Sequence, residues 1–187
     1  MEYINCVNTA KLIRSALKES FPNVKFSVVS DSYAGGASIR ISYTNGPTQK
    51  QVEQVVGVFE GSYFDGMQDY KGSNYANLDG QEVKFGADYI FVRRNYTPEL
   101  MTEVAQQVAQ TYGVDFNQVT IKNSQYSGAY VECPNTLVVA GRYFNQMVNL
   151  EIQEISLCNT QPSKTLARVY SMGDDGYGYG CVGRLAA

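Results

Sequence analysis

Polar and apolar side chains alternate along residues 38–43, and this period of two predicts a strand with one buried face. The apolar pair Val28–Val29 predicts a preceding strand, and the turn between the two strands carries Gly35 and Gly36. Glycine readily adopts the positive φ angles that tight hairpin turns require. The pattern therefore predicts a β-hairpin across residues 25–43.

Apolar side chains spaced by three and four residues predict helices in other parts of the chain. The predicted helices cover residues 9–20 with Asn8 as N-cap, residues 47–56 beginning at Pro47, and residues 98–112 between Thr97 and Gly113. Residues 141–157 fit either a helix or a strand, because their apolar positions match both periods. We favour the helix for this segment.

Residues 57–86 are rich in glycine, tyrosine, aspartate, serine and asparagine, and carry only scattered apolar side chains. We interpret this segment as a long functional loop, because long ordered loops in compact domains often bind ligands or partners. Asp79 and Gly80 predict a tight turn within it. The β-branched and aromatic run over residues 87–94 predicts a buried strand immediately afterwards.

These elements predict an α+β fold in one domain over residues 1–187, with an antiparallel sheet that carries helices mainly on one face. Residues 119–132 repeat the order of strand, Ser-x-Tyr-x-Gly turn and strand found in residues 25–42. The repeat indicates a weak internal α-β-β-α duplication, or a chance resemblance between short strands. We divide the predicted domain into residues 1–100, residues 101–170 and a glycine-rich tail over residues 171–187.

Composition argues against several classes of function. A net charge of -3 and a pI near 5.0 give no overall positive field that would attract nucleic acid. The chain contains 0 histidines, which removes histidine-based catalytic dyads and histidine-ligated metals. Its 4 cysteines lie far apart, so we expect reduced, mostly buried thiols. Because it has neither a signal-peptide pattern nor a membrane-spanning apolar run, we expect a cytoplasmic protein without a membrane partner.

Asp65 and Asp69 are the candidate metal ligands of the long segment, since carboxylates on a glycine-bearing loop suit Ca²⁺ or Mg²⁺. Aspartate also caps turns, and the spacing here does not match an EF-hand. We favour the turn-capping interpretation and expect neither a bound metal nor a cofactor.

Arginine and tyrosine side chains form a second candidate set. Arg40, Arg93 and Arg94, with Tyr33 and Tyr63, fit a surface that stacks on bases or anchors a protein interface. The alternative is that the tyrosine rings complete the edges of the core, and the sequence leaves both interpretations open.

Several motifs in the first 100 residues occur in the order typical of one family. The motifs are Lys25–Val28, Ser32–Gly36, Ile39–Ile41, Gly46–Thr48, Phe59–Met67 and Phe85–Asp88. In these motifs the chain resembles the large polyvalent-protein-associated domain, the twenty-ninth of that series. The resemblance implies an accessory protein of phages and conjugative plasmids that helps incoming DNA to establish itself against host defences. It implies no catalytic residues.

From this resemblance we expect a non-enzymatic counter-defence protein of the anti-restriction or anti-CRISPR type, which binds a host defence protein or complex in the bacterial cytoplasm. The expected contact residues are Tyr33, Gly35, Gly36, Tyr63, Phe64, Asp65 and Asp69. One alternative is a nucleic-acid-binding accessory protein that uses Arg40, Arg93, Arg94 and Tyr33. Another is a metal-dependent enzyme or small-ligand binder that uses the loop carboxylates.

Overall fold

The computed structural model describes residues 1–172 and combines helices with short strands, which confirms the α+β class. The helices are α1 (Cys6–Ser20), α2 (Gln49–Val56), α3 (Pro98–Tyr112) and α4 (Phe144–Glu154). The strands of the first half are β1 (Glu2–Ile4), β2 (Ser27–Tyr33), β3 (Gly36–Thr44), β4 (Ser62–Asp65), β5 (Tyr70–Ser73), β6 (Tyr75–Leu78), β7 (Gln81–Phe85) and β8 (Tyr89–Asn95). Those of the second half are β9 (Thr120–Ser124), β10 (Gly128–Glu132), β11 (Val138–Val139), β12 (Arg142–Tyr143) and β13 (Val169–Met172).

The chain forms two compact units. Unit 1 comprises Met1–Ser42, Gln49–Arg93 and the segment that begins at Asn159, and unit 2 comprises Tyr43–Thr48 and Arg94–Cys158. The division of the chain at residues 100 and 170 stays a prediction. The predicted tail lies outside the described residues from residue 173 onward. No helix within residues 1–172 has the length and apolar character needed to cross a membrane.

The predicted hairpin is confirmed as β2 and β3, which pair antiparallel in a three-stranded sheet of order β2-β3-β8. One face of this sheet is buried, with Ile39 and Ile41 almost fully enclosed. Helix α1 packs against β2 and against α2, and it contributes the buried side chains Ile13 and Leu17. The core of unit 1 therefore lies on one side of the sheet and leaves the other side exposed.

Residues 57–86 are not one long loop, and that part of the prediction is wrong. They contain the β4–β5 hairpin and the β6–β7 hairpin, whose turn at Asp79 and Gly80 has the positive φ angles that the Asp-Gly pair predicted. β6 and β7 belong to a four-stranded sheet of order β1-β7-β6-β13, in which β1 pairs parallel with β7. Each of these sheets is small and buries few side chains. The strands therefore contain few apolar residues, and their sequence shows only a weak alternation of apolar and polar positions.

Both ends of α3 match the sequence prediction, whereas the start of α1 does not. Helix α3 begins after Thr97, whose hydroxyl accepts from the N–H of Leu100, and ends at Gly113 with φ 67°. Helix α1 begins three residues earlier than predicted, because the N-cap is Asn5 and not Asn8. The side chain of Asn5 accepts the N–H of Asn8, so the two residues interact directly.

Unit 2 contains α3, the β9–β10 hairpin and α4, which repeats the order of α1, the β2–β3 hairpin and α2 in unit 1. The favoured helical interpretation of residues 141–157 is confirmed by α4. The core of unit 2 contains side chains of both helices, namely Met101 and Val104 of α3 and Phe144, Val148 and Ile152 of α4. The repeated order of elements is thus confirmed, while a common origin of the two halves stays a prediction.

Candidate functional site

Asp88, directly before β8, joins several segments of unit 1 at the end of the β2–β3 hairpin. Its Oδ2 accepts the backbone N–H of Ala37 at 3.0 Å, and its Oδ1 accepts the hydroxyl of Ser62 at 2.8 Å. The same Oδ1 lies 3.0 Å from the ammonium of Lys71. The carboxylate therefore fixes β3, β4 and β5 relative to the start of β8.

The pKa of Asp88 is set by two opposing effects. Partial burial disfavours the charged form, but the hydrogen bonds that the carboxylate accepts outweigh burial and lower its pKa below the usual value. The carboxylate in turn raises the pKa of Lys71. Asp88 and Lys71 consequently form an ion pair at neutral pH.

Glu60 supports β8 in a similar way. Its Oε1 accepts the backbone N–H of Ile90 at 3.1 Å. Burial is the larger influence and raises the pKa of Glu60, although the bond from Ile90 acts in the opposite direction. Two carboxylates thus hold the first residues of β8 in place.

The turn between β2 and β3 uses its glycines for different reasons. Gly35 has a φ of +93°, which glycine adopts without strain. Gly36 is not at positive φ, so the prediction is wrong for this residue. A side chain at Gly36 would place its Cβ 2.5 Å from Oδ2 of Asp88 and 3.1 Å from the ring of Tyr33. Gly36 is required by space, and Gly35 by backbone conformation.

The exposed side of the β2-β3-β8 sheet carries aromatic and cationic side chains, and we call it the outer face. It consists of Val29, Tyr33, Arg40, Tyr89, Phe91 and Arg93, with Lys71 of β5 beside them. Phe91 is 57% exposed and Tyr33 is 52% exposed, so about half of each side chain is accessible to a partner. The residues 87–94 do not form the buried strand that their composition predicted, because β8 lies at the edge of its sheet.

Neighbouring groups on the outer face contact one another. The ammonium of Lys71 lies 5.6 Å from the ring centroid of Tyr89, and the rings of Tyr89 and Phe91 lie 6.3 Å apart with an interplanar angle of 32°. Arg40 lies opposite Val29 and approaches Asp31 at 3.5 Å, in an exposed pair that contributes little stability. The arrangement presents flat rings bordered by cations.

The β4–β5 hairpin ends in a second exposed group, which we call the hairpin tip and define as Phe64, Asp65, Met67, Asp69 and Tyr70. Met67 is 95% exposed and Phe64 is 56% exposed. The ring of Tyr70 packs edge-on against Tyr63, with 6.5 Å between ring centroids. Apolar side chains therefore project from a short, defined turn.

Asp65 acts within this turn as predicted, since its Oδ1 accepts the backbone N–H of Met67 at 2.9 Å. Asp69 has a φ of 48°, a left-handed conformation that aspartate tolerates in turns. Within residues 1–172, no group of three or more histidine, cysteine, aspartate or glutamate side chains is placed to hold a metal ion. The expectation that the protein has no metal or cofactor stays a prediction.

Arg94 does not belong to an exposed surface, which corrects its assignment to the Arg and Tyr set. It is buried in unit 2. Its guanidinium donates to the backbone carbonyls of Asn45, Gly46, Ile152 and Ile155 at 2.8–3.3 Å. It thereby binds the last carbonyls of α4, where the helix dipole favours a cation. Its role is structural.

The described cysteines are all free thiols. Cys6 is buried, whereas Cys133 and Cys158 are partly exposed. The expectation of buried thiols is confirmed for Cys6, and Cys181 lies outside the described residues.

Sequence patterns did not identify four residues as functional candidates: Asp88, its partner Lys71, Phe91 of the outer face and Met67 of the hairpin tip. Asp88 and Met67 end two of the motifs that carried the family resemblance, but the motifs assigned them no role. Phe91 was assigned to a buried strand because residue type alone does not distinguish a central strand from an edge strand. No sequence pattern predicted the ion pair of Lys71, since its partner Asp88 is distant in sequence.

Comparison with known proteins gives one match. The family model described as Large polyvalent protein associated domain 29 matches residues 4–97. No curated protein and no solved structure matches the chain. The matched region contains the β2–β3 hairpin, the hairpin tip and Asp88, and it indicates a protein associated with phages and other mobile elements. Because the match covers half of the sequence, the chain belongs to the large polyvalent protein associated domain 29 family.

Proposed function

We propose that this protein is a non-enzymatic counter-defence factor of a mobile element, of the anti-restriction or anti-CRISPR type, which binds a host defence protein through the hairpin tip. The observation that carries the proposal is the exposure of Met67 and Phe64 at the end of a well-defined hairpin. The family membership supports an association with mobile elements, and the exposed hairpin tip supports a role in protein binding.

The hairpin tip has the composition of an interface core. Methionine and aromatic side chains are enriched where protein interfaces are fully buried, because they remove a large apolar area from water. Burying a side chain of this size contributes roughly 1.5–3 kcal/mol. Since Met67 and Phe64 lie mainly in solvent, that free energy is available to a partner.

Charges around the tip suit a basic partner. Asp65 and Asp69 border the apolar side chains, and neither has an ion pair among the described residues. Carboxylates at the rim of an interface favour encounter with a positively charged surface. Defence proteins that handle nucleic acid carry such surfaces, so the tip would cover a basic site on its target.

The proposal is tested by recovering partners from a bacterial lysate with the tagged full chain, with and without nuclease treatment, followed by mass spectrometry. We expect stoichiometric recovery of a defence-complex subunit that survives nuclease. Met67→Ala and Phe64→Ala should each reduce recovery about 10-fold or more, as removal of an interface hot spot does.

The matched control is Tyr126→Ala, which removes a side chain that is 77% exposed on the β9–β10 hairpin of unit 2. This control should recover the subunit as well as the unaltered chain does. Equal recovery by the two tip variants, or loss of every protein partner after nuclease treatment, would contradict the proposal.

A further inference from the structure

We propose that the outer face binds single-stranded nucleic acid, in addition to the protein contact assigned to the hairpin tip. The proposal does not depend on that contact, because it involves different residues and a different ligand. It rests on the arrangement of rings and cations on the exposed side of the β2-β3-β8 sheet.

Exposed rings on a sheet face suit unpaired bases. Tyr89 and Phe91 lie two residues apart on β8, with ring centroids separated by 6.3 Å and planes inclined by only 32°. Tyr33 adds a ring at the end of β2 that is more than half exposed, as Phe91 is, whereas Tyr89 is partly buried. Because every base has a flat π-face, successive bases of a single strand stack on aromatic side chains placed in this way. A duplex hides its base faces and would not fit.

Cations lie beside the rings of the outer face. Arg93 is next to Phe91 on the same side of β8, and Arg40 is exposed on β3. Lys71 lies over the ring of Tyr89. All three side chains complement phosphates, and the planar guanidinium of arginine also stacks on bases.

Two carboxylates near this face, Asp88 and Asp31, are each paired with a cation. Asp88 is paired with Lys71, and Asp31 with Arg40. Among the residues that the structure describes, no carboxylate is within ion-pair distance of Arg93. Three cations, Arg40, Lys71 and Arg93, face two carboxylates, Asp31 and Asp88, so these side chains carry one net positive charge on a chain whose net charge is -3.

The test is fluorescence anisotropy of 5′-fluorescein-labelled dT15 and U15, titrated with the purified full chain at low salt. We expect saturable binding to at least one of the two oligonucleotides, and no comparable binding to a blunt duplex of the same length. The affinity should fall as salt is raised, because phosphate contacts release counterions.

Two variants assign the binding to the outer face. Phe91→Ala should weaken binding about 10-fold, within the range reported for loss of one stacked base. Arg93→Ala should lower the slope of log affinity against log salt by about 0.7, the value for one phosphate contact on a single strand. Both side chains are exposed, so neither substitution should change folding, which circular dichroism checks.

The controls are Tyr126→Ala and Arg142→Ala, which remove an exposed ring and an exposed cation from unit 2. Both should bind the oligonucleotides as the unaltered chain does. The proposal is overturned if neither oligonucleotide binds, or if the outer-face variants bind as well as the controls. If Phe91→Ala instead abolishes recovery of a protein partner while no oligonucleotide binds, the outer face is a protein interface.

Discussion

At the scale of single residues, Asp88 receives hydrogen bonds or an ion pair from three other segments of unit 1, at Ala37, Ser62 and Lys71. We expect Asp88→Asn to lower the free energy of unfolding by about 1–3 kcal/mol, because bonds to a charged acceptor are stronger than those to an amide. Urea denaturation at pH 7 measures this loss.

The matched control is Asp31→Asn, whose carboxylate is exposed and pairs only loosely with Arg40. It should change the free energy of unfolding by less than about 0.5 kcal/mol. Equal effects of the two substitutions would mean that Asp88 does not anchor the segments around it.

The stabilisation by Asp88 should also depend on pH with a defined sign. Its folded-state pKa is lowered, so the stabilisation is present above the unfolded-state pKa, near pH 4, and is lost as pH falls through the lower folded-state pKa. The difference between the unaltered chain and Asp88→Asn should therefore vanish in strong acid. Glu60, whose pKa is raised, contributes equally to both proteins and cancels in this difference.

At the scale of secondary-structure elements, the β11–β12 hairpin carries local strain that a substitution can relieve. Ala140 has a φ of 47° and precedes Gly141 with a φ of 76°. An L-residue in this conformation costs about 1–2 kcal/mol, and asparagine tolerates it better. We expect Ala140→Asn to raise the free energy of unfolding by about 0.5 kcal/mol, measured by urea denaturation.

The comparison variant is Ala34→Asn in the β2–β3 turn, where the alanine does not have a positive φ. It should bring no gain in stability, because there is no strain to relieve. A similar gain at both positions would show that asparagine acts through a different effect, such as hydrogen bonding within the turn.

Some strands could be predicted from the sequence and others could not, depending on how many side chains each strand buries. The β2–β3 hairpin was predictable because buried and more exposed side chains alternate in β3 from Ile39 to Thr44. The strands β4 to β7 were not, because each has four or five residues and buries few of them. Helix α3 was predictable at both ends, since Thr97 and Gly113 act through contacts within a few residues.

At the scale of the whole molecule, the chain returns to unit 1 after unit 2, and Glu19 of α1 holds the returning segment. Its carboxylate accepts the hydroxyl of Ser163 at 2.6 Å and the backbone N–H of Thr165 at 2.8 Å. Beyond this anchor, β13 pairs with β6 and completes the four-stranded sheet. The family match ends at residue 97, so this sheet is completed by residues outside the matched region.

We expect Glu19→Gln to lower the free energy of unfolding by about 1–2 kcal/mol and to speed hydrogen exchange of the β13 amides. The reason is that a neutral amide accepts these bonds more weakly than a carboxylate whose pKa they lower. Mass spectrometry of deuterated peptides covering residues 163–172 measures the exchange. Glu151→Gln, at an exposed position of α4, is the control and should leave that exchange unchanged.

The sequence by itself determined the α+β class, the helices α1, α2 and α3 and the first hairpin, because caps, turns and hydrophobic periods act over a few residues. It favoured the helix α4 over a strand, and its ordered motifs indicated the family. It also named Tyr33, Phe64 and Arg93 as candidate contact residues, and these side chains are exposed in the structure. Only the tertiary structure placed Asp88 at the centre of the site, buried Arg94, exposed Phe91 and brought β13 beside β6. These features depend on contacts between residues distant in sequence, which local residue patterns do not predict.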